Sequence, residues 1–317
     1  MALDLRGEGE MQITLGPVLY NWPTPEWVDF YSRIADEAPV ERVILGEVIC
    51  SKRTPFRTGA MAEVAERLER SGKEVVFATL ALPTLKRETR EIAEFAEGER
   101  MIEVNDMAAL YALRGRPHVV GPFMNVYNEA TLRVLEGMST NTVCLPPELP
   151  GPSIRTIAAN RRTAQIEVFA FGRAPLAVSA RCYHARIHNL TKDGCRYVCE
   201  QDHDGLDVDT LDGQNFLAIN GIATMASGVT VLGEEVRLLG EAGVSRIRLS
   251  PQTCDMVAVA KAYRNLIDGL IDGPELLAAI ASQPLPGAIV NGYVHGVGGC
   301  ILKREIDATG ASDLFSS

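Results

Sequence analysis

Eight short apolar segments, each followed by a stretch with helical spacing, are the pattern that most constrains this chain. The strand-like segments fall at 12–19, 42–48, 74–80, 101–105, 118–123, 142–145, 167–171 and 245–249. Each is rich in Val, Ile or Phe, as strands buried on both faces should be. Helix-like stretches follow at 27–35, 61–71, 89–95, 107–113, 129–138, 154–160, 234–241 and 256–267. Asp106 and Asn128 stand where N-caps belong. Eight strand–helix units predict an α/β fold, a (β/α)8 TIM-like barrel. An open doubly wound sheet is the alternative with the same alternation. One more helix is expected at 275–281, followed by a Gly-rich tail.

The seventh strand ends near 171 and the eighth begins near 245, so the chain carries an insertion at approximately 172–228. A length of 317 residues suits a single barrel domain over 11–317. Residues 1–10 precede a second methionine, Met11, and read as a disordered extension. The N-terminus has no basic region leading into an apolar run, and no apolar run reaches a membrane span of about 18–20 residues. The expectation is a cytoplasmic protein that is not integral to a membrane. The net charge of -10, from 41 acidic and 31 basic residues, counts against a nucleic-acid partner.

Three of the seven cysteines, Cys182, Cys195 and Cys199, fall in one stretch of the insertion with the pattern C-x12-C-x3-C. Free cysteines are often buried hydrophobes. These lie instead among Arg181, His184, Arg186, Lys192, Asp193 and Arg196, which points to a metal site. Cys50 lies just past the second strand. Strands seven, eight, one and two are neighbours around a closed barrel, and chemistry sits at the C-terminal ends of barrel strands. An insertion leaning across the barrel mouth would bring Cys50 to the other three. Cys144, Cys254 and Cys300 read as buried or incidental thiols. Structural zinc usually takes two close ligand pairs, whereas thiolates at irregular spacing suit an iron–sulfur cluster. Zinc remains the alternative, with His184 and His188, four residues apart, as additional donors.

Other signals are weaker. Residues 202–213, "DHDGLDVDTLDG", resemble a calcium loop without its central Gly and closing Glu. "HGVGG" at 295–299 is Gly-rich but lacks the strand–turn–helix setting of a phosphate loop. Lys52, Arg53 and Arg181 flank the candidate ligands. They would neutralise a bound cluster, raise its potential or hold a carboxylate. Glu167, in the seventh strand, is either an acid/base group or a partner for an arginine.

At these residues the chain resembles the collagenase-like peptidase family, over nearly its whole length from Met11. The marks are "LGPVLYNWP" (15–23), "LGEVICSKR" (45–53), "PLAVSARCYHAR" (175–186), "KDGCRYVC" (192–199), "NGIATMASG" (220–228) and "RLSPQ" (248–252). Within the family the resemblance is to an iron–sulfur branch that serves oxygen-independent ubiquinone biosynthesis. It implies a [4Fe-4S] cluster held by Cys50, Cys182, Cys195 and Cys199. It also implies a UbiU-like heterodimer partner, a UbiT-like lipid-binding protein and hydroxylation of a quinone precursor without O2. The family signature resembles E-x-F-x-H-G-A-x-C followed by S-G-x-C. Here Glu167, Phe169, Gly172, Ser179 and Cys182 match, but Phe171 replaces the His and Pro175 the first Cys. A peptidase-like hydrolase, or a UbiU-like site built on that His or Cys, is therefore put in doubt. The same departures leave open a non-catalytic role as structural partner of a UbiU-like protein. The resemblance singles out no catalytic residue.

Overall fold

The computed structural model describes residues 11–303. Eight parallel strands form the central sheet: β1 (Gln12–Leu15), β2 (Arg42–Leu45), β3 (Glu74–Ala78), β4 (Met101–Val104), β5 (His118–Val120), β6 (Thr140–Cys144), β7 (Gln165–Gly172) and, after five intervening strands, β13 (Arg246–Leu249). Each pairs with the next, and β13 pairs in parallel with both β7 and β1. The sheet is therefore a closed barrel, and the doubly wound alternative is excluded.

Helices α1 (Thr24–Glu37), α2 (Thr54–Arg70), α3 (Lys86–Glu97), α4 (Met107–Leu113), α5 (Glu129–Glu136) and α6 (Gly151–Ala159) follow the first six strands. The expected caps form. Asp106 accepts from the N–H of Ala108 and Ala109, and Asn128 from that of Thr131. Each meets amide donors that the first helical turn leaves without partners.

Between β7 and the helix that follows it, the chain builds a second sheet. Strands β8 (Pro175–Val178), β9 (Leu206–Asp209), β10 (Asn215–Asn220) and β11 (Ala223–Ala226) pair antiparallel in the order β8-β11-β10-β9. A short helix, α7 (Tyr183–Ile187), lies between β8 and β9. Strand β12 (Val229–Val231) returns antiparallel to the end of β7. Helix α8 (Glu234–Glu241) then leads to β13, and α9 (Met256–Ile267) and α10 (Gly273–Ala281) follow it. Strand β14 (Ile289–Val290) pairs with β12. No helix among the described residues is long and apolar enough to cross a membrane. The extension expected at 1–10 lies outside the described residues.

Several expected strands end early, among them β3 at Ala78 and β5 at Val120. β1 stops at Leu15 and β2 at Leu45, although the apolar runs continue to 19 and 48. Leu19, Val48 and Ile49 are buried in loops, against Ala218, Ile222, Ala223 and Met225 of the second sheet. Burial of these loops makes their sequence indistinguishable from strand. Helix α2 also begins earlier than 61, at Thr54.

The barrel interior is ionic. Arg248 of β13 donates to Glu103 of β4 and, at 2.5 Å, to Glu167 of β7. Arg42 of β2 reaches Thr142 of β6 at 3.1 Å. β2 and β6, like β13 and β4, are not adjacent strands, so these bonds cross the barrel. Glu167 also accepts from Thr14 at 2.5 Å. Burial pushes its carboxyl pKa up, but Arg248, Arg246 and Arg42 outweigh burial and hold it at about 2. Glu167 is thus an arginine partner in the core.

Candidate metal centre

The loop after β2 carries the first cysteine. Glu47 accepts the backbone N–H of Ile49 and of Cys50, both at 2.9 Å. That carboxylate is buried, and Arg57 donates to it at 3.2 Å. The chain then makes a short 3-10 turn over Ser51–Arg53, with the Arg53 N–H on the Cys50 carbonyl at 2.9 Å. The turn sends the Arg53 side chain inward.

The other three cysteines come from the second sheet's connections. Cys182 caps α7, and its sulfur accepts the Ala185 N–H at 3.4 Å. An amide donor on a sulfur favours thiolate over thiol. Cys195 and Cys199 flank Arg196 and Tyr197, two consecutive residues in the left-handed region, with φ of 50° and 54°. Non-glycine residues adopt that region at a cost and persist there only when their surroundings hold them. Tyr197 packs edge-on against Phe56 of α2, ring centroids 4.7 Å apart, and Lys52 donates to the Lys192 carbonyl at 2.6 Å.

These connections bring Cys50, Cys182, Cys195 and Cys199 to the walls of one pocket, with Lys52, Arg53, His184, Lys192, Tyr197, Val198 and Gly221. The apolar contacts of Ala218, Ile222, Ala223 and Met225 with the β1 and β2 loops set the second sheet over Cys50. Cys144 and Cys254 are buried elsewhere, and Cys300 is exposed in the tail.

Arg53 is the buried cation of the pocket, 1% exposed. It donates to the Leu19 carbonyl at 2.8 Å and to Asn220 Oδ1 at 2.9 Å, while its Nε has no protein partner. Burial works against its charge, but Glu47, Cys199 and Cys50 outweigh that and raise its pKa. Burial pushes the Cys50 and Cys182 thiols up, with Arg53 opposing in both. Gly221 completes the wall. Its φ is +60°, and a Cβ there would lie 2.8 Å from Arg53 Nη2.

The donor chemistry fits an iron–sulfur cluster. Four thiols face one space, an amide already points at one sulfur, and a buried guanidinium with a free N–H stands beside them to balance a thiolate-rich group. Sequence reasoning named the four cysteines and Arg53, which line this pocket, but not Glu47 or Asn220, nor the pairing of Asp202 with His184. A carboxylate inside the apolar run "LGEVIC" was the available signal for Glu47, because a buried acid needs partners.

His184 is buried behind Cys182, its Nε2 2.7 Å from Asp202 Oδ2 and its Nδ1 without a partner. Burial lowers its pKa, and Asp202 opposes the shift. The calcium-like stretch folds as β9 and a hairpin turn, and its carboxylates face separate partners. Asp204 accepts from the Thr253 N–H at 3.0 Å, Asp207 pairs with Arg173 at 2.7 Å, and Asp212 accepts from Thr210 at 2.5 Å. The "HGVGG" stretch makes turns, with His295 Nε2 2.8 Å from Glu235.

Fold and site together define a (β/α)8 barrel with a four-cysteine pocket at its mouth. Residues 29–296 match the model of peptidase family U32, and the chain belongs to that family. Among solved structures, it is similar to a mutant tryptophan synthase alpha-subunit from Pyrococcus furiosus, at 13% identity and a TM-score of 0.42, covering 86% of this chain and 97% of that one. It is also similar to a phospho-2-dehydro-3-deoxyheptonate aldolase from Thermotoga maritima, at 12% identity and a TM-score of 0.41, covering 90% and 74%.

Proposed function

We propose that this chain is a UbiV-like subunit that holds a [4Fe-4S] cluster through Cys50, Cys182, Cys195 and Cys199. Its role in this reading is the O2-independent hydroxylation of a ubiquinone precursor, as a heterodimer with a UbiU-like protein and assisted by a UbiT-like lipid-binding protein. The observation that carries the reading is the four thiols lining one pocket around buried Arg53. A cluster so bound supplies one-electron transfer. The chain's own residues do the rest. Glu47 fixes the Cys50 backbone, and the Ala185 amide and Arg53 offset negative charge on sulfur. Phe171 and Pro175, in place of the signature His and Cys, favour this branch over a hydrolase.

The reading is tested by quinone content in cells lacking the gene and grown without O2. Wild-type protein should restore the hydroxylated quinone, and Cys182→Ala should not, while growth with O2 is indifferent to both. Unchanged anaerobic quinone without the gene would contradict the reading. Peptidase activity that survives removal of iron would favour the hydrolase.

A further inference from the structure

A second set of donors lies beside the cysteines and is used by nothing described so far. His184 sits in α7, and His188 is the residue that caps its C-terminal end, one turn further on. Their rings stack with centroids 6.0 Å apart and 7° between planes. Asp202, just beyond Cys199 in the chain, brings its carboxylate to 2.7 Å from His184 Nε2. One donor atom from each of the three residues lies within 4.8 Å of the others.

We propose that His184, His188 and Asp202 form a binding site for a divalent transition cation of the zinc type, adjoining the four-cysteine pocket, whose wall His184 shares. Two imidazoles and a carboxylate are a donor set that zinc takes with an open fourth position. Residues four apart on a helical turn share a face, which directs both rings to one side. Two donors bound at about 2.0–2.1 Å to a tetrahedral ion stand roughly 3.3 Å apart, so the His184–Asp202 pair is already near ligand spacing. A hydrogen bond between that pair alone leaves the stacked His188 unexplained. His184 and Asp202 are the buried and half-buried members, and His188 is exposed, so an ion enters from solvent on the His188 side. The inference stands whatever the cysteines hold.

The protein is purified anaerobically with its cysteine pocket as isolated, then dialysed to equilibrium against low-micromolar zinc chloride. Metal content and zinc-edge X-ray absorption are measured for wild type, His188→Ala and Asp202→Asn. The exposed position of His188 makes its substitution safe for folding. The expected result is one zinc per chain with a nitrogen-and-oxygen shell near about 2.0–2.1 Å. Each variant should weaken it at least about tenfold, as loss of support at metal sites commonly does, with iron content unchanged. Zinc uptake indifferent to His188→Ala would overturn the site, as would zinc bound only by sulfur near about 2.3 Å. Iron is measured in the same samples, so failure of the cluster and failure of this site give different results.

Discussion

Arg53 Nη2 donates to Asn220 Oδ1 at 2.9 Å, joining residues 167 positions apart in the chain. Asn220 in turn donates to the Leu19 carbonyl, which Arg53 also bonds. Three segments thus meet at one buried guanidinium: the β1 loop, the turn after Cys50 and the second sheet. That joint holds the three-cysteine side of the pocket against the Cys50 side.

Removing one partner of a buried ionic group costs about 3–5 kcal/mol, because the other is left uncompensated. Arg53→Gln should therefore lower stability by an amount in that range, read from urea denaturation. Asn220→Ala, which removes a neutral partner, should cost about 1–3 kcal/mol. A loss below about 1 kcal/mol in both would contradict the role of the joint.

Gly221 and Gly213 separate backbone strain from packing. Both have positive φ, but a Cβ at Gly213 meets nothing within 4 Å, whereas at Gly221 it meets Arg53. Gly213→Ala should show only a conformational cost of about 1 kcal/mol. Gly221→Ala should cost more and raise susceptibility of the second sheet to proteolysis. Equal denaturation midpoints for the two variants would show that Arg53 does not need the space.

Glu167 makes the barrel core sensitive to acid. Its folded pKa of about 2 lies below the ordinary carboxylate value. The native state therefore binds fewer protons than the unfolded state between about pH 4.5 and 2, and stability falls as pH drops through that window. The full effect is about 3 kcal/mol, present above pH 4.5. Urea midpoints at pH 5 and pH 3 should differ for wild type and differ less for Glu167→Gln. Parallel slopes in the two proteins would sink the assignment.

Cys50→Ala distinguishes a working cluster from a structural one. If the cluster is only structural, the variant should lose folding or binding of the UbiU-like protein together with quinone synthesis; a variant that keeps all three would show that the cluster serves neither purpose. The proposed function predicts that quinone synthesis is lost even where folding and partner binding persist.

Much of this architecture is legible in the sequence. Parallel barrel strands are buried on both faces, so each of the eight announced itself as an apolar run. Closure of the barrel then made Cys50 a neighbour of the triplet, and the structure brings all four to one pocket. Strand ends were not legible, because Leu19 and Ile49 are as buried in loops as Leu15 and Leu45 are in strands. The antiparallel sheet of the insertion was missed for the opposite reason: β9 reads "LDVD", with few apolar residues to mark it. Partnerships such as Glu47 with Arg57, or His184 with Asp202, depend on tertiary contact and leave no fixed spacing in the chain.

The central claim is that four named thiols hold one iron–sulfur cluster, and the most direct measurement is iron and acid-labile sulfide in the anaerobically purified protein. About four of each per chain are expected, as a [4Fe-4S] cluster contains. Cys182→Ala should lose most of both, and Cys300→Ala, altered at an exposed thiol in the tail, should keep them. A protein without iron and sulfide, its four cysteines binding zinc instead, would contradict the account.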